Sequence, residues 1–248
     1  MSKSLLITGG SRGIGASIVE LAAASGYKVF FTYNTKAAEA HSLASSVSNK
    51  GGEAHSFQLD VTQQKDVESL FTTINAEFGP LSALVNNAGV VDLASRMESI
   101  SVERLQRIFA VNFFGSFYCC QQAVKHMSPK YGGKGGSIVN VSSIASRMGA
   151  PNEYIDYASA KAAVDTLTMG LAKEVAEENI RVNCVRPGLI DTDLHAVSGD
   201  RLRPEKLKHL VPLKRPGTAN EIAEAVLWLL SDKASYTTGS ILDVGGGR

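Results

Sequence analysis

Tyr157 and Lys161 stand four positions apart in EYIDYASAKAAVDTLT, a stretch with a helical pattern. That spacing puts a phenol and an ammonium group on one helix face, within reach of a common ligand. Upstream, Ser142 and Ser143 close the apolar run GSIVNVSS. They end a predicted strand, at the carboxyl edge where doubly wound sheets bind ligands.

A second constellation lies near the start of the chain. Thr8-Gly9-Gly10-Ser11-Arg12-Gly13-Ile14-Gly15 follows a short apolar run and precedes the amphipathic ASIVELAAASG. A strand, a glycine-rich turn and a helix in that order bring backbone N–H groups and a helix N-terminus against phosphate. Gly9 takes the tight turn, Gly13 leaves room for a pyrophosphate, and Gly15 permits close packing of the helix on the sheet. Where such sheets prefer NAD, an acidic residue roughly 20 positions on receives the ribose 2′-hydroxyl. Here the second strand ends Thr32-Tyr33-Asn34-Thr35-Lys36, with no carboxylate before Glu39. Nothing there repels a 2′-phosphate, and Arg12 and Lys36 offer it charge-assisted contacts. NADP(H) is therefore expected over NAD(H).

These groups need a scaffold, and the pattern of the whole chain supplies one. Short β-branched or apolar runs at 4–8, 28–33, 54–60, 82–88, 136–143, 180–187 and 240–244 read as strands. Helical periodicity lies between them, as in Val164, Leu167, Leu171 and Val175. Alternating β and α predicts an α/β fold: a single-domain, Rossmann-type, doubly wound parallel sheet of seven strands with helices on both faces. No linker interrupts it, since YGGKGGS (131–137) is a short connection, so one domain is expected over 1–248. The least patterned stretch, 193–212, carries the charges of GDRLRPEKLKHL. It reads as a substrate lid near 189–212 or as a solvated helix pair.

Composition narrows the function. The 248 residues hold 25 Lys+Arg and 24 Asp+Glu, a net charge of +1, which argues against a nucleic-acid partner. No apolar run approaches membrane-spanning length. The N-terminal apolar run, Leu5 to Ile7, is too short for a signal-peptide core. Cys119, Cys120 and Cys184 lack CxxC spacing and sit in apolar stretches, as buried reduced thiols do, which points to the cytoplasm. His41, His55, His126, His195 and His209 lack ligand spacing, so no metal site is expected.

With its motifs in order along nearly its whole length, the sequence resembles the short-chain dehydrogenase/reductase family. TGxxxGxG is present as Thr8 to Gly15, NNAG as Asn86 to Gly89, and an active-site asparagine as Asn112 in VNFFG. The serine is Ser143 in NVSS, YxxxK is Tyr157 and Lys161, and PGxxxT is Pro187 to Thr192. Within the family the chain looks closest to bacterial NADP-type oxidoreductases of the sugar-dehydrogenase-like and oxoacyl-reductase-like groups. The resemblance implies strand order 3-2-1-4-5-6-7, a homotetramer or homodimer, and hydride transfer between NADP(H) and a small-molecule carbonyl or secondary alcohol.

Residue roles follow from the same resemblance. Ser143 and Tyr157 would hydrogen-bond the substrate oxygen, Tyr157 acting as acid in reduction and base in oxidation. Lys161 would bond the nicotinamide ribose and lower the tyrosine pKa, and Asn112 would hold a water linking Lys161 to solvent. A cation about 4 Å from the phenol contributes roughly 4 kcal/mol at an effective dielectric of about 20, about three pKa units. The cofactor would be met by Gly9, Ser11, Arg12, Gly13, Ile14 and Gly15 at the turn, and by Asn34 and Lys36 after the second strand. Asp60 and Val61 would bound the adenine, and Asn87, Ala88 and Gly89 the adenine ribose side. Pro187 and Gly188 would join Ile190 and Thr192, the last two on the nicotinamide amide.

Two features depart from the commonest family pattern. The serine-to-tyrosine interval is one residue longer than in many relatives, so IASRMGAPNEYID is expected to shape the pocket differently. Tyr33 stands where the family usually has an acid, which weakens an NAD assignment. Candidate substrate contacts are 94–97, 145–148, 152–154 and 193–212, with Arg147, Arg201 and Arg203 hinting at polar or anionic groups. Ala158, Ala160, Ala162 and Ala163 permit close helix approach at a subunit interface or on their own sheet. The alternative to an enzyme is a non-catalytic NADP-binding sensor or scaffold on the same fold.

Overall fold

The computed structural model describes residues 3–193 and 199–248; His195 and the middle of the expected lid lie outside them. Seven parallel strands form one sheet in the order β3-β2-β1-β4-β5-β6-β7. They are β1 (Ser4–Ile7), β2 (Lys28–Tyr33), β3 (Glu53–Gln58), β4 (Ala83–Asn86), β5 (Gly136–Val141), β6 (Ile180–Pro187) and β7 (Ile241–Val244). The seven sequence runs each contain a strand. Several predicted strands ran one or two residues too far at the carboxyl end, where the chain leaves the ladder for a ligand-facing turn.

Strand alternation sorts the core into two layers. Leu5, Ile7, Val29 and Phe31 point to one face, where α1 (Gly13–Ala24), α2 (Ala37–Asn49) and the late helix Ala219–Leu230 cover them. Leu6, Phe30, Leu84 and Ile138 point to the other. There they meet α3 (Gln64–Phe78), α5 (Gly115–Met127) and α7 (Ile155–Glu174). Strands buried on both faces read as continuous apolar runs, which is why they were visible in the sequence.

Among the described residues the remaining α-helices are α4 (Val102–Phe109), the single turn α6 (Ala145–Met148), α8 (Arg203–Leu207) and α9 (Ala219–Leu230). α9 begins with a capping box. Thr218 Oγ accepts from the Glu221 N–H at 3.2 Å, and Glu221 Oε2 accepts from the Thr218 N–H at 2.8 Å. The Arg215 guanidinium grips the same carboxylate, which is held down to about 2. Thr218→Ala should cost about 1 kcal/mol, measured as a lower denaturant midpoint with an unchanged slope.

Candidate active site

All strand carboxyl ends lie on one edge, and the order changes direction between β1 and β4, the place where such sheets open a crevice. A cleft of about 450 Å³ occupies it. Two ties hold the glycine-rich turn beneath this cleft. Thr8 Oγ accepts from the N–H groups of Asn87 and Ala88, both at 3.0 Å. Asn87 Nδ2 donates back to the carbonyls of Thr8 at 3.0 Å and Gly9 at 2.9 Å.

Gly9 and Gly13 have φ values of +65° and +55°, the left-handed region that favours glycine. A Cβ on Gly13 would meet nothing closer than Thr192 Cγ2 at 3.6 Å, so its backbone faces open space. Arg12 precedes α1, no side chain caps the helix, and no acidic residue lies in its first turn. The positive end of α1 thus opens into the cleft, and these residues fit a pyrophosphate.

At the β2 end the cleft is lined by Tyr33, Asn34, Thr35 and Lys36. Glu39 follows in the first turn of α2 and pairs with Lys36 at 3.3 Å, both groups half exposed. Arg12 is exposed and lies within the field that lowers the Glu39 carboxyl. Two cations therefore face one carboxylate. Asp60 and Val61 line the same end, and Asp60 Oδ1 also accepts from the Thr62 N–H at 3.0 Å and hydroxyl at 2.8 Å.

At the other end Ser143, Tyr157 and Lys161 converge. β5 delivers the two serines to the sheet edge with opposite orientations. Ser142 Oγ turns inward and donates to the Lys161 carbonyl at 3.0 Å, while Ser143 lines the cleft beside Tyr157, its Oγ accepting from the Ala145 N–H at 3.1 Å. Lys161 is 3% exposed and its ammonium donates to the Val141 carbonyl at 2.8 Å. Burial pulls Lys161 down to about 8. Burial pushes the Tyr157 phenol above its ordinary value, and the Ser143 hydroxyl opposes that push.

Lys161 Nζ lies 5.7 Å from the Tyr157 ring centroid, so the ammonium stands beside the aromatic ring.

Asn112 is fully buried and does not line the cleft. A turn of π-helix at Ala110–Phe114 joins α4 to α5, a feature that re-aims side chains. Asn112 Nδ2 donates to the carbonyls of Val90 at 2.8 Å and Ile108 at 2.9 Å, and its Oδ1 accepts from the Val90 N–H at 3.2 Å. It clamps the strand after Gly89. Its Oδ1 and Lys161 Nζ both crowd Gly89, lying 2.9 and 3.5 Å from where a Cβ would sit.

The remaining cofactor candidates, Ser11, Ile14, Gly15, Ala88, Pro187, Gly188, Ile190 and Thr192, also line the cleft. Substrate candidates divide. Ala145, Met148, Glu153, Tyr154, Asp193 and Arg203 line it, whereas 94–97 do not; Val90 and Val91 take that wall instead. Arg147 points away to Asp243 at 3.2 Å, and Arg201 is exposed elsewhere. Arg203 lies over the Tyr154 ring and pairs with Glu153 at 2.6 Å, so its charge is already answered. The long serine-to-tyrosine interval carries Gly149, Ala150 and Asn152 at positive φ, a kinked loop that presents Glu153 and Tyr154.

Ala158 and Ala160 are buried within their own chain, leaving only Ala162 and Ala163 of that group partly exposed. Asp156 was missed. Its side chain is 1% exposed and takes two bonds from Arg104, at 2.7 and 3.1 Å, that fix the start of α7 beside Tyr157. The sequence separation of this pair hides it from local pattern. Cys119, Cys120 and Cys184 are all buried and free. Among the described residues no cluster of His, Cys, Asp and Glu could hold a metal, and no helix is long and apolar enough to cross a membrane.

Comparison with known proteins agrees with this geometry. Residues 9–248 match the family model described as enoyl-(acyl carrier protein) reductase. The chain is 48% identical over 243 residues to an uncharacterized oxidoreductase, YgfF, of Escherichia coli (strain K12), covering 98% of each. It is 39% identical over 249 residues to the 3-oxoacyl-[acyl-carrier-protein] reductase FabG of Chlamydia muridarum, covering 100% of this chain and 97% of that one. A crystal structure of a short-chain type dehydrogenase/reductase from Mycobacterium marinum superposes with a TM-score of 0.92 at 33% identity, over 99% of this chain and 94% of that one. A parallel sheet with a phosphate-binding turn at its switch point, a Ser-Tyr-Lys cluster across the same cleft and these relatives together place the chain in the short-chain dehydrogenase/reductase family of oxidoreductases.

Proposed function

We propose that the protein interconverts a carbonyl and a secondary alcohol with NADP(H), using Tyr157 as the general acid and base. One observation carries this reading: the Ser143–Tyr157 pair opens into the same cleft as the uncapped end of α1. The nicotinamide supplies or accepts the hydride. Gly9 to Gly15 hold the pyrophosphate, Asp60 and Val61 the adenine, Asn87 to Gly89 its ribose side, and Ile190 and Thr192 the nicotinamide amide.

Ser143 and Tyr157 donate hydrogen bonds to the substrate oxygen and fix it. In reduction Tyr157 gives its proton to that oxygen as negative charge develops; in oxidation it takes the proton back. Lys161, buried behind the phenol, bonds the nicotinamide ribose and favours the phenolate. Asn112 fixes the wall at Val90 and holds a water beside Lys161 for proton exchange. A non-catalytic sensor gives the Ser143 and Tyr157 hydroxyls that line the cleft nothing to do.

Loss of reduced-nicotinamide absorbance on a panel of ketones, sugars and oxoacyl thioesters tests the assignment, with NADPH and NADH in parallel. Turnover is expected with NADPH preferred; NADPH binding without turnover on any carbonyl would favour the sensor. Arg12→Ala and Lys36→Ala should each weaken NADPH about tenfold, the loss of one charge-assisted contact, and leave NADH unchanged. Equal losses for both cofactors would refute the 2′-phosphate contact.

The pH dependence has a defined sign. Reduction needs the protonated phenol and should fall as pH rises; oxidation needs the phenolate and should rise. Lys161 loses its charge around pH 8, which pushes Tyr157 up and spreads the oxidative limb to higher pH. kcat/KM profiles in both directions check this, and limbs of the same sign would exclude Tyr157 as the shared group.

Further features support a homotetramer or homodimer, with Phe114, Phe117 and Trp228 each about 40% exposed and available to a second copy. The buried thiols favour the cytoplasm. The span 189–212 acts as the substrate lid of a single domain, with Arg203 fastening it to Glu153.

A further inference from the structure

The helix face that carries Tyr157 and Lys161 continues one turn further to Asp165. Its side chain is 6% exposed. Oδ2 accepts from Arg186 on β6, Nε at 3.1 Å and Nη2 at 2.8 Å. Oδ1 faces the Cys184 thiol at 3.6 Å. An ion pair joining α7 to β6 is the simplest reading, and two observations go beyond it.

The first is placement. Lys161 and Asp165 are one helical turn apart on the same buried face. The ammonium has three donors, and among the described residues it makes no ion pair within 4 Å; its hydrogen bond goes to the Val141 carbonyl. The second is orientation. Arg186 occupies only one carboxylate oxygen and leaves the other turned to Cys184, which stands in the field of both Asp165 and Lys161. Burial and Asp165 push that thiol up to about 12, so it stays neutral and contributes no second charge.

We propose that Asp165, held by Arg186, is a positioning residue of the site: the buried counter-ion that keeps Lys161 protonated at neutral pH and so sets the protonation of Tyr157. This rests on the reading of Tyr157 and Lys161 as the proton-transfer pair. The groups around Lys161 leave no other candidate among the described residues. From α7 come Tyr157 and Asp165; from the β5 end, the Val141 carbonyl and Ser142; from the π-helical turn, Asn112. From β6 come Cys184 and, behind the carboxylate, Arg186, which also meets Asp243 of β7 at 3.4 Å. Asp243 is engaged by Arg147 as well. Burial pulls Lys161 down, and Cys184 and the Asp165 carboxylate oppose that pull; since burial keeps the thiol neutral, Asp165 is the neighbour that carries the charge, and without it the lysine sheds its proton at lower pH and the phenol titrates higher.

The test reads the phenolate of Tyr157 in the protein alone, by ultraviolet difference titration against Tyr157→Phe in each background. Asp165→Asn should raise the Tyr157 midpoint by about one pH unit and move the oxidative limb of the pH–rate profile by the same amount. Asp165→Glu should keep the parent midpoint. Because Asp165→Asn leaves Arg186 with Asp243 as its remaining ion-pair partner at 3.4 Å, the double variant Asp165→Asn/Arg186→Gln is measured too and should shift in the same direction. Unshifted titration in folded variants with a lowered Tm would reduce Asp165 to a structural ion pair, and loss of the fold in the double variant, which strands no charge, would count against the proposal equally. A Tyr157→Phe protein with full turnover would defeat the proton-transfer reading itself, a separate result from an unshifted midpoint.

Discussion

Tyr157→Phe should lower turnover by about three orders of magnitude, within the range that general acid–base catalysis contributes, while Tm and NADPH affinity stay near the parent values. The substitution removes one oxygen and leaves the ring. The ring keeps its place, because the start of α7 is fixed by the Arg104–Asp156 bonds at 2.7 and 3.1 Å and not by the hydroxyl. What goes is the hydroxyl beside Ser143 on the cleft, the group that gives its proton to a substrate oxygen. Ser143→Ala should cost less, since it removes a donor that holds the substrate and leaves the proton source. A Tyr157→Phe protein that retains a tenth or more of parent turnover would mean another group moves the proton. The measurement is single-turnover reduction of the best ketone from the panel, with circular dichroism as the check on folding.

The physical range of each signal decided how much of this was legible in the sequence. Strand runs such as KVFFTY are buried on both faces and announce themselves, and the fold follows from their alternation with helices. The glycine turn, the serines and Tyr157–Lys161 were legible as short spacings, each local to one turn or one helix. What stayed hidden depends on distant partners or on backbone detail. The π-helical turn at Asn112 is a shift in backbone hydrogen bonding with no composition of its own. The substrate wall falls on Val90 and Val91 and not on 94–97, because Asn112 ties Val90 down and the chain then rises to the surface. The inward turn of Ser142, whose hydroxyl donates to the Lys161 carbonyl, is settled by packing between α7 and β5, which no spacing rule reports.

The second large effect is expected at the opposite end of the cleft, from a single methyl group. In Gly15→Ala the new Cβ would fall 2.3 Å from the Gly9 carbonyl oxygen, 2.6 Å from Asn87 Nδ2 and 3.0 Å from Gly10 Cα. None of these atoms is the free end of a flexible side chain. Asn87 Nδ2 is held between the carbonyls of Thr8 and Gly9, and Gly10 is tied to the Thr32 carbonyl at 2.8 Å. Either α1 moves off the sheet or the turn unfolds from β4, and each route displaces the helix end on which the pyrophosphate is expected to sit. Overpacking of this kind costs about 1–3 kcal/mol of stability. The loss of NADPH affinity should be larger, at least a hundredfold, or about 2.7 kcal/mol, because contacts along the whole turn shift together. Gly13→Ala is the comparison. Its φ of +55° brings strain, about 1–2 kcal/mol for a residue with a Cβ, and its methyl meets no protein atom closer than Thr192 Cγ2 at 3.6 Å but enters the space assigned to the pyrophosphate, so it should lose NADPH affinity directly while α1 keeps its packing. Fluorescence titration with NADPH and thermal melts of both variants separate the two costs. If Gly15→Ala keeps its NADPH affinity despite a lower melting temperature, close helix–turn packing is not what shapes the phosphate site.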